Sequence, residues 1–201
     1  MRTLAKAALH ALFLLFALPL ALGSLFGRIE LLYVIAAQAC AQVPGIVGDY
    51  LRIAFYHLTL TECALESRIQ FGSFFAHPQA KVSRGVYIGS YCILGRTSIG
   101  ERTQIASGVQ ILSGARQHSR DAHGRVLGSE QGTFTEVQIG ADCWIGAAAV
   151  IMADVGAGST VGAGAVVTKP VPPRTVVAGV PARVVRSREG GTVPDVTEYS
   201  A

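Results

Sequence analysis

Charge is scarce in this chain. Only 15% of its 201 residues are charged, and the formal net charge is +4. No basic helix and no alternation of aromatic and basic residues accompanies that excess, which argues against nucleic acid as a partner. Cysteine is scarce too. Cys40, Cys63, Cys92 and Cys143 are scattered, with no C-x-x-C pair and no zinc spacing. Reduced, partly buried thiols in a chain facing the cytoplasm are expected, rather than a disulfide framework or a metal knuckle. No G-x-S-x-G stretch occurs, so a serine elbow is excluded. What is abundant is apolar surface and glycine: half the residues are hydrophobic and 23 are Gly. That is too apolar for disorder and too rich in glycine for a helical bundle. The length allows one core-bearing domain plus an appendage.

The appendage lies at the N-terminus. Residues 7–27, AALHALFLLFALPLALGSLFG, carry no formal charge, with Arg2 and Lys6 before them and Arg28 after. A stretch of ~20 apolar residues is enough to cross a bilayer. Three readings compete: a signal peptide ending at ALG before Ser24, a transmembrane helix, and a monotopic helix broken near Pro19 and Gly23. The next uncharged stretch, 31–48, places Gln38 and Gln42 on one helix face. DYLRIAFYHLTL then mixes Tyr50, Phe55 and Tyr56 with Arg52 and His57, a pattern that favours the headgroup region. A membrane-attached helical hairpin is preferred to a cleaved leader. A soluble cap, packed on the repeats or on a neighbouring subunit, stays open.

The rest repeats with a period of six. Ile88-Gly89, Ile99-Gly100, Ile105-Ala106, Ile111, Ile139-Gly140, Ile145-Gly146 and Val161-Gly162 each put an aliphatic residue first. Four residues on stands a compact side chain: Cys92, Thr103, Val109, Ala115, Cys143, Ala149, Ala165. Helices repeat every 3–4 residues and half-buried strands every two, so neither fits. A hexad fits a parallel β-helix, in which each hexad gives one short strand and one corner, and three close a coil of about 18 residues. Inward residues stack on the next coil at the ~4.8 Å strand spacing. Glycine relieves crowding at the corner. No coil buries its inner face alone, so stability comes from stacking.

Residues 137–185, VQIGADCWIGAAAVIMADVGAGSTVGAGAVVTKPVPPRTVVAGVPARVV, resemble the C-terminal half of the hexapeptide-repeat acyltransferases, in the branch that O-acetylates sugars and polysaccharides. The similarity covers residues 80–186. It implies a mainly β fold, a left-handed parallel β-helix, assembled as a homotrimer with acetyl-CoA as co-substrate. The expected layout is an apolar helical, membrane-associated segment at 1–60, a connector at 61–80, the β-helix at 81–186 with a loop at 113–136, and a tail at 187–201.

The hexads stop between Leu112 and Val137, where SGARQHSRDAHGRVLGSEQGTFTE intervenes. A long insertion in a compact domain is usually functional or disordered. In similar acetyltransferases such a loop closes over the neighbouring subunit's active site and carries a histidine general base. His118 and His123 are the candidates. Acyl transfer to a hydroxyl needs a base with a pKa near neutral, which imidazole supplies. His118 is nearer the last regular coil and is preferred, with Asp121 able to orient or stabilise the imidazolium. His118 falls later after Ile111 than the histidine of many relatives does. Two solvated loop histidines, with catalysis supplied elsewhere, is the plainer alternative.

From Val155 to Arg188 there is no acidic residue, while Lys169, Arg174, Arg183, Arg186 and Arg188 are present, a one-sign stretch that suits phosphates. A solvated basic tail is the other reading. The resemblance implies that coenzyme A lies between two prisms. It implies that Ala147 and Ala163 act through backbone groups, and Thr168, Arg183 and Arg186 through side chains; Lys169, from the basic stretch, joins them as a donor-binding candidate. Trp144 either floors the groove or packs on a coil. Pro170 stands where the family usually has Asp, which bears on the shape of the adenine end.

Two rivals use the same fold. A hexapeptide-type carbonic anhydrase would bind zinc through His77, His118 and His123, but two of these lie in the irregular loop, and no metal is expected. A trimeric scaffold would only present the helices to a membrane complex. The reading carried forward is acetyl transfer to a sugar or lipid-linked glycan at the cytoplasmic face of the cell membrane.

Overall fold

The computed structural model describes residues 2–114, 120–128 and 134–187. Three helices come first: α1 (Arg2–Gly23), α2 (Glu30–Ala41) and α3 (Gly45–Thr59). From Glu62 the chain winds into a parallel β-solenoid. Its strands are β1 (Glu62–Cys63), β2 (Arg68–Ile69), β3 (Phe74–Phe75), β4 (Lys81–Val82), β5 (Tyr87–Ile88), β6 (Ile93–Leu94), β7 (Thr97–Ile99), β8 (Gln104–Ile105) and β9 (Gln110–Ile111). After the loop come β10 (Val137–Ile139), β11 (Trp144–Ile145), β12 (Val150–Ile151), β13 (Thr160–Val161), β14 (Val166–Val167), β15 (Thr175–Ala178) and β16 (Arg183–Ser187). The first sheet holds β1, β4, β7 and β10 and continues through single bridges at Val155 and Val171. The second holds β2, β5, β8, β11, β13 and β15, one strand from each of six coils. The third holds β3, β6, β9, β12 and β14. β16 turns back to pair antiparallel with β15.

The hexad is visible as burial. In the second sheet Ile69, Ile88, Ile105, Ile145, Val161 and Val177 stack in register and are buried. The compact residues Cys92, Thr103, Val109, Cys143, Ala149 and Ala165 are buried at the corners, while Ala115 lies outside the described residues. Hydroxyls at this position also tie coils together. Thr103 Oγ1 donates to Gly140 O at 2.7 Å and accepts from Cys143 N at 3.1 Å. Ser73 Oγ bridges Gly89 O at 2.6 Å and Cys92 N at 2.8 Å in the same way. These bonds satisfy corner amides that the sheets leave free.

Glycine after the inward aliphatic is dictated by the coil above it. A Cβ on Gly146 would lie 2.5 Å from Ala163 N, and one on Gly140 would collide with Ala157. Gly146→Ala is therefore expected to overpack the stack and cost about 1–3 kcal/mol. A lowered urea midpoint with an unchanged slope would show it; an unchanged midpoint would mean that the coils can spread.

Two expectations are corrected. Residues 61–80 are not a connector. They form the first coil, with Cys63, Ile69 and Phe75 pointing inward, all buried. The spacing is again six, but Ala64, Gln70 and Ala76 follow the inward residues instead of glycine, which hides the repeat. The second correction concerns DYLRIAFYHLTL. Arg52, Phe55 and Tyr56 do not face headgroups; each is fully buried. α3 packs on β1 and β2, and α2 packs on β3, so together they plug the open end of the solenoid. Phe55 and Tyr56 sit 5.4 Å apart, Tyr56 and Phe75 5.1 Å apart, and Tyr56 Oη accepts from Phe75 N at 3.2 Å. An open coil end exposes aliphatic side chains, and burying them is the larger gain.

Arg52 locks this plug. Its Nε donates to Ile69 O at 2.8 Å, and its Nη1 to Val43 O at 2.7 Å and Cys40 O at 3.2 Å. Its Nη2 pairs with Asp49 at 2.7 Å. Asp49 in turn accepts from Arg68 at 3.1 Å and from Gln70 at 2.9 Å. One guanidinium thus ties the end of α2 at Cys40 and the turn carbonyl of Val43 to the first coil at Ile69.

Candidate functional site

The long loop leaves the prism after β9, at the corner between the third and first sheets. His118 lies outside the described residues. The segment 120–126 folds on itself: Arg120 and Val126 form an antiparallel bridge, and Asp121 Oδ1 accepts from His123 N at 2.8 Å and Arg125 N at 2.9 Å. This is an Asp-closed turn. Asp121 therefore shapes the loop through backbone amides, and His123 is exposed at its tip.

The returning leg is anchored at both ends of the edge. Thr135 N donates to Ser113 O at 3.1 Å, and Glu136 pairs with Lys81 at 3.2 Å. Phe134 lies against His77, with ring centroids 5.4 Å apart. His77 Nδ1 is 2.9 Å from Glu30 Oε1 at the start of α2. A carboxylate can only accept, so this bond holds the proton on Nδ1 and leaves Nε2 of the neutral ring with a free lone pair. Sequence reading missed this His–Glu pair because the partners are far apart in the chain and meet only through the first coil.

The zinc grouping of His77, His118 and His123 gains no support from these contacts. His77 is engaged by Glu30, and His123 sits at the loop tip. Among the described residues no cluster of three His, Cys, Asp or Glu side chains forms. The thiols are poor nucleophiles. Burial pushes the Cys92 and Cys143 pKa values up, and Sγ of each lies 3.2 Å from a carbonyl oxygen.

The positions expected to hold a donor fall on more than one edge. Ala147 and Ala163 are exposed on successive coils at the corner between the second and third sheets, joined by Gly164 N donating to Ala147 O at 2.8 Å. Trp144 projects outward from β11 and is 58% exposed, so coil packing does not account for it. Thr168 and Lys169 are exposed at a different corner, between the third sheet and Val171, the same one that launches the loop. Arg183 and Arg186 lie exposed on β16. A single chain therefore does not gather these groups in one place. A separate cavity of about 340 Å³ opens between α1, α3 and the first coil, lined among others by Lys6, His10, Asp49, Tyr50, Glu66 and Arg68.

Residues 136–169 match the family described as bacterial transferase hexapeptide (six repeats). Over 113 residues the chain is 37% identical to a serine acetyltransferase of Salmonella typhimurium, covering 54% of this chain and 37% of that protein. It thus spans little more than a third of that relative. A hexapeptide-repeat acetyltransferase from Vibrio cholerae superposes with a TM-score of 0.53 at 26% identity, over 83% of this chain and 90% of the other. A galactoside acetyltransferase solved with coenzyme A superposes at 0.56 with 22% identity, over 77% and 80%. This last likeness speaks to the fold.

Proposed function

We propose that this protein transfers the acetyl group of acetyl-CoA to a sugar hydroxyl of a glycan or polysaccharide precursor. The observation that carries the reading is the long insertion between β9 and β10, where the described solenoid breaks its hexad spacing. It is rooted at the corner that bears Thr168 and Lys169. The similarity to acetyltransferases of the same repeat supports the reaction class.

The donor positions favour a site shared between subunits. The Ala147–Ala163 ridge offers exposed backbone beside small side chains, which lets pantetheine approach closely. Thr168, Lys169, Arg183 and Arg186 suit the phosphates and the adenine end. Since the ridge and the Thr168 corner lie on different edges, a groove using both needs two protomers. A homotrimer would hold three such grooves. His118 takes the hydroxyl proton while the oxygen attacks the thioester carbon. The C–S bond then breaks, the acyl–oxygen bond remains, and the proton passes from the imidazolium to the departing thiolate. A backbone amide near the Trp144 corner stabilises the oxyanion. The step uses no metal and no covalent acyl-enzyme.

The loop's returning leg touches His77, and His77 touches Glu30 in the apolar cap. This proximity supports a lipid-linked acceptor, handled at the cytoplasmic face of the membrane where acetyl-CoA is available. The 37% identity to a serine acetyltransferase favours one second reading, in which the acceptor is the hydroxyl of serine.

A thiol-release assay decides. Acetyl-CoA is offered with nucleotide sugars, lipid-linked glycans and L-serine in parallel. Acceptor-dependent release with a sugar or glycan is the expected result. Release with serine alone moves the acceptor to an amino acid, and no release with any hydroxyl acceptor removes the proposal.

A further inference from the structure

A helix on the surface of a water-soluble protein buries one stripe and turns a polar stripe to solvent. α1 does not. Its inner stripe packs on α3: Ala17 and Ala21 are fully buried, His10 lies 5.2 Å from Tyr50, and Phe13 stacks 5.5 Å from Tyr50. Its outer stripe is just as apolar. Leu9, Leu12, Leu15, Phe16 and Leu22 are 38–69% exposed, and Pro19 between them is exposed as well.

The corner after α1 adds a second, independent observation. Leu25 and Phe26 have φ of 49° and 54°, a left-handed backbone that large side chains avoid. Gly27 follows at φ 85°, where a Cβ would lie 2.7 Å from Thr59 O. The backbone is thus held tightly against the end of α3 in a disfavoured shape. The result is that Leu25 and Phe26 project outward, 53% and 45% exposed. Charge supplies a third. Residues 2–29 contain Arg2, Lys6 and Arg28 and no Asp or Glu; Lys6 borders the cavity that Glu66 also lines, while Arg28, exposed beside the corner, complements an anionic headgroup layer.

We infer that the outer stripe of α1 and the Leu25–Phe26 corner are seated in one leaflet of an anionic bilayer, and that α1 does not cross it. Length alone would permit crossing, since 22 residues of helix reach about 33 Å. Packing forbids it. α1 lies along α3, and α3 lies on the first coil. A perpendicular α1 would carry Asp49, Arg52, Glu62, Glu66 and Arg68 to bilayer depth, where charge is costly. Lying in the interface, α1 sinks only its outer stripe. This inference concerns attachment and does not depend on the reaction proposed above.

The four native cysteines are buried, so introduced thiols report cleanly. Lys6→Cys and Arg28→Cys are made separately in the full chain, expressed in bacterial cells, and probed with a membrane-impermeant maleimide in sealed vesicles of each orientation. Both sites are expected to label from the cytoplasmic side alone. Labelling from opposite sides would show a crossing helix and overturn the inference. As a second measurement, Leu12→Glu with Phe16→Glu should leave the circular dichroism spectrum unchanged, because both side chains point outward. Co-sedimentation with phosphatidylglycerol-containing vesicles should fall about tenfold. Undiminished sedimentation, or wild-type protein that ignores these vesicles because further copies cover the stripe, would equally overturn it.

Discussion

Arg52→Ala is expected to cost about 3–5 kcal/mol, because it leaves a cavity and strips buried carbonyls of a charged donor. Asp49 would lose its 2.7 Å partner while keeping Arg68 and Gln70, and the carbonyls of Val43 and Ile69 would lose the Arg52 donor together. Arg52 is fully buried, so these acceptors are far from bulk solvent. For a chain of this size the loss corresponds to roughly 10 °C or more in Tm. Arg52→Lys should rescue little, because an ammonium cannot reproduce the planar fork that serves three directions at once. Differential scanning calorimetry of the full chain checks both variants. A loss below about 1 kcal/mol, the value of an exposed pair, would mean that the plug is held by its aromatic packing alone.

His118→Ala is expected to lower kcat for acetyl transfer by about 10²–10⁴-fold, the usual contribution of a general base, with the KM for acetyl-CoA little changed. The pH profile gives the stricter test. A general base must be unprotonated to act, so the wild-type rate should carry an acid limb. The variant should lose that limb. His123→Ala should have a mild effect, its ring being exposed at the tip of the Asp121 turn. His77→Gln is the informative companion. His77 already has its Nδ1 proton held by Glu30, the arrangement that makes Nε2 a base. If His118→Ala retained full rate and His77→Gln abolished the pH-dependent limb, the base would be His77.

The coil architecture was legible because its cause is local. An aliphatic residue followed by glycine every six residues is what a stacked corner requires, and Gly146 beneath Ala163 shows why. The first coil was not legible. Phe75 and Cys63 fill the prism as well as Ile does, yet without glycine beside them they do not look like a hexad. DYLRIAFYHLTL was misread for a different reason. Aromatic rings beside a cation suit a headgroup layer, and they equally suit a plug whose cation caps carbonyls. Only the presence of an open coil end nearby decides between them, and that is a tertiary fact. At the candidate site, the break in the spacing identified the loop, and the family resemblance pointed to the exposed alanines. It did not reveal that Ala163 and Thr168 occupy different corners, because a corner is defined by the sheets on either side of it. The pairing of His77 with Glu30 carries no sequence signal at all.

A parallel stack has two raw rims, each with unpaired amides and carbonyls ready to template another chain. The helices seal the first rim, and β16, by reversing direction beside β15, occupies the edge of the second sheet at the other. Without that reversed strand the second sheet would end in an open row of amides and carbonyls, the kind of edge that invites pairing with another chain. The β15–β16 hairpin thus protects one edge of the solenoid in the way the helices protect its first rim.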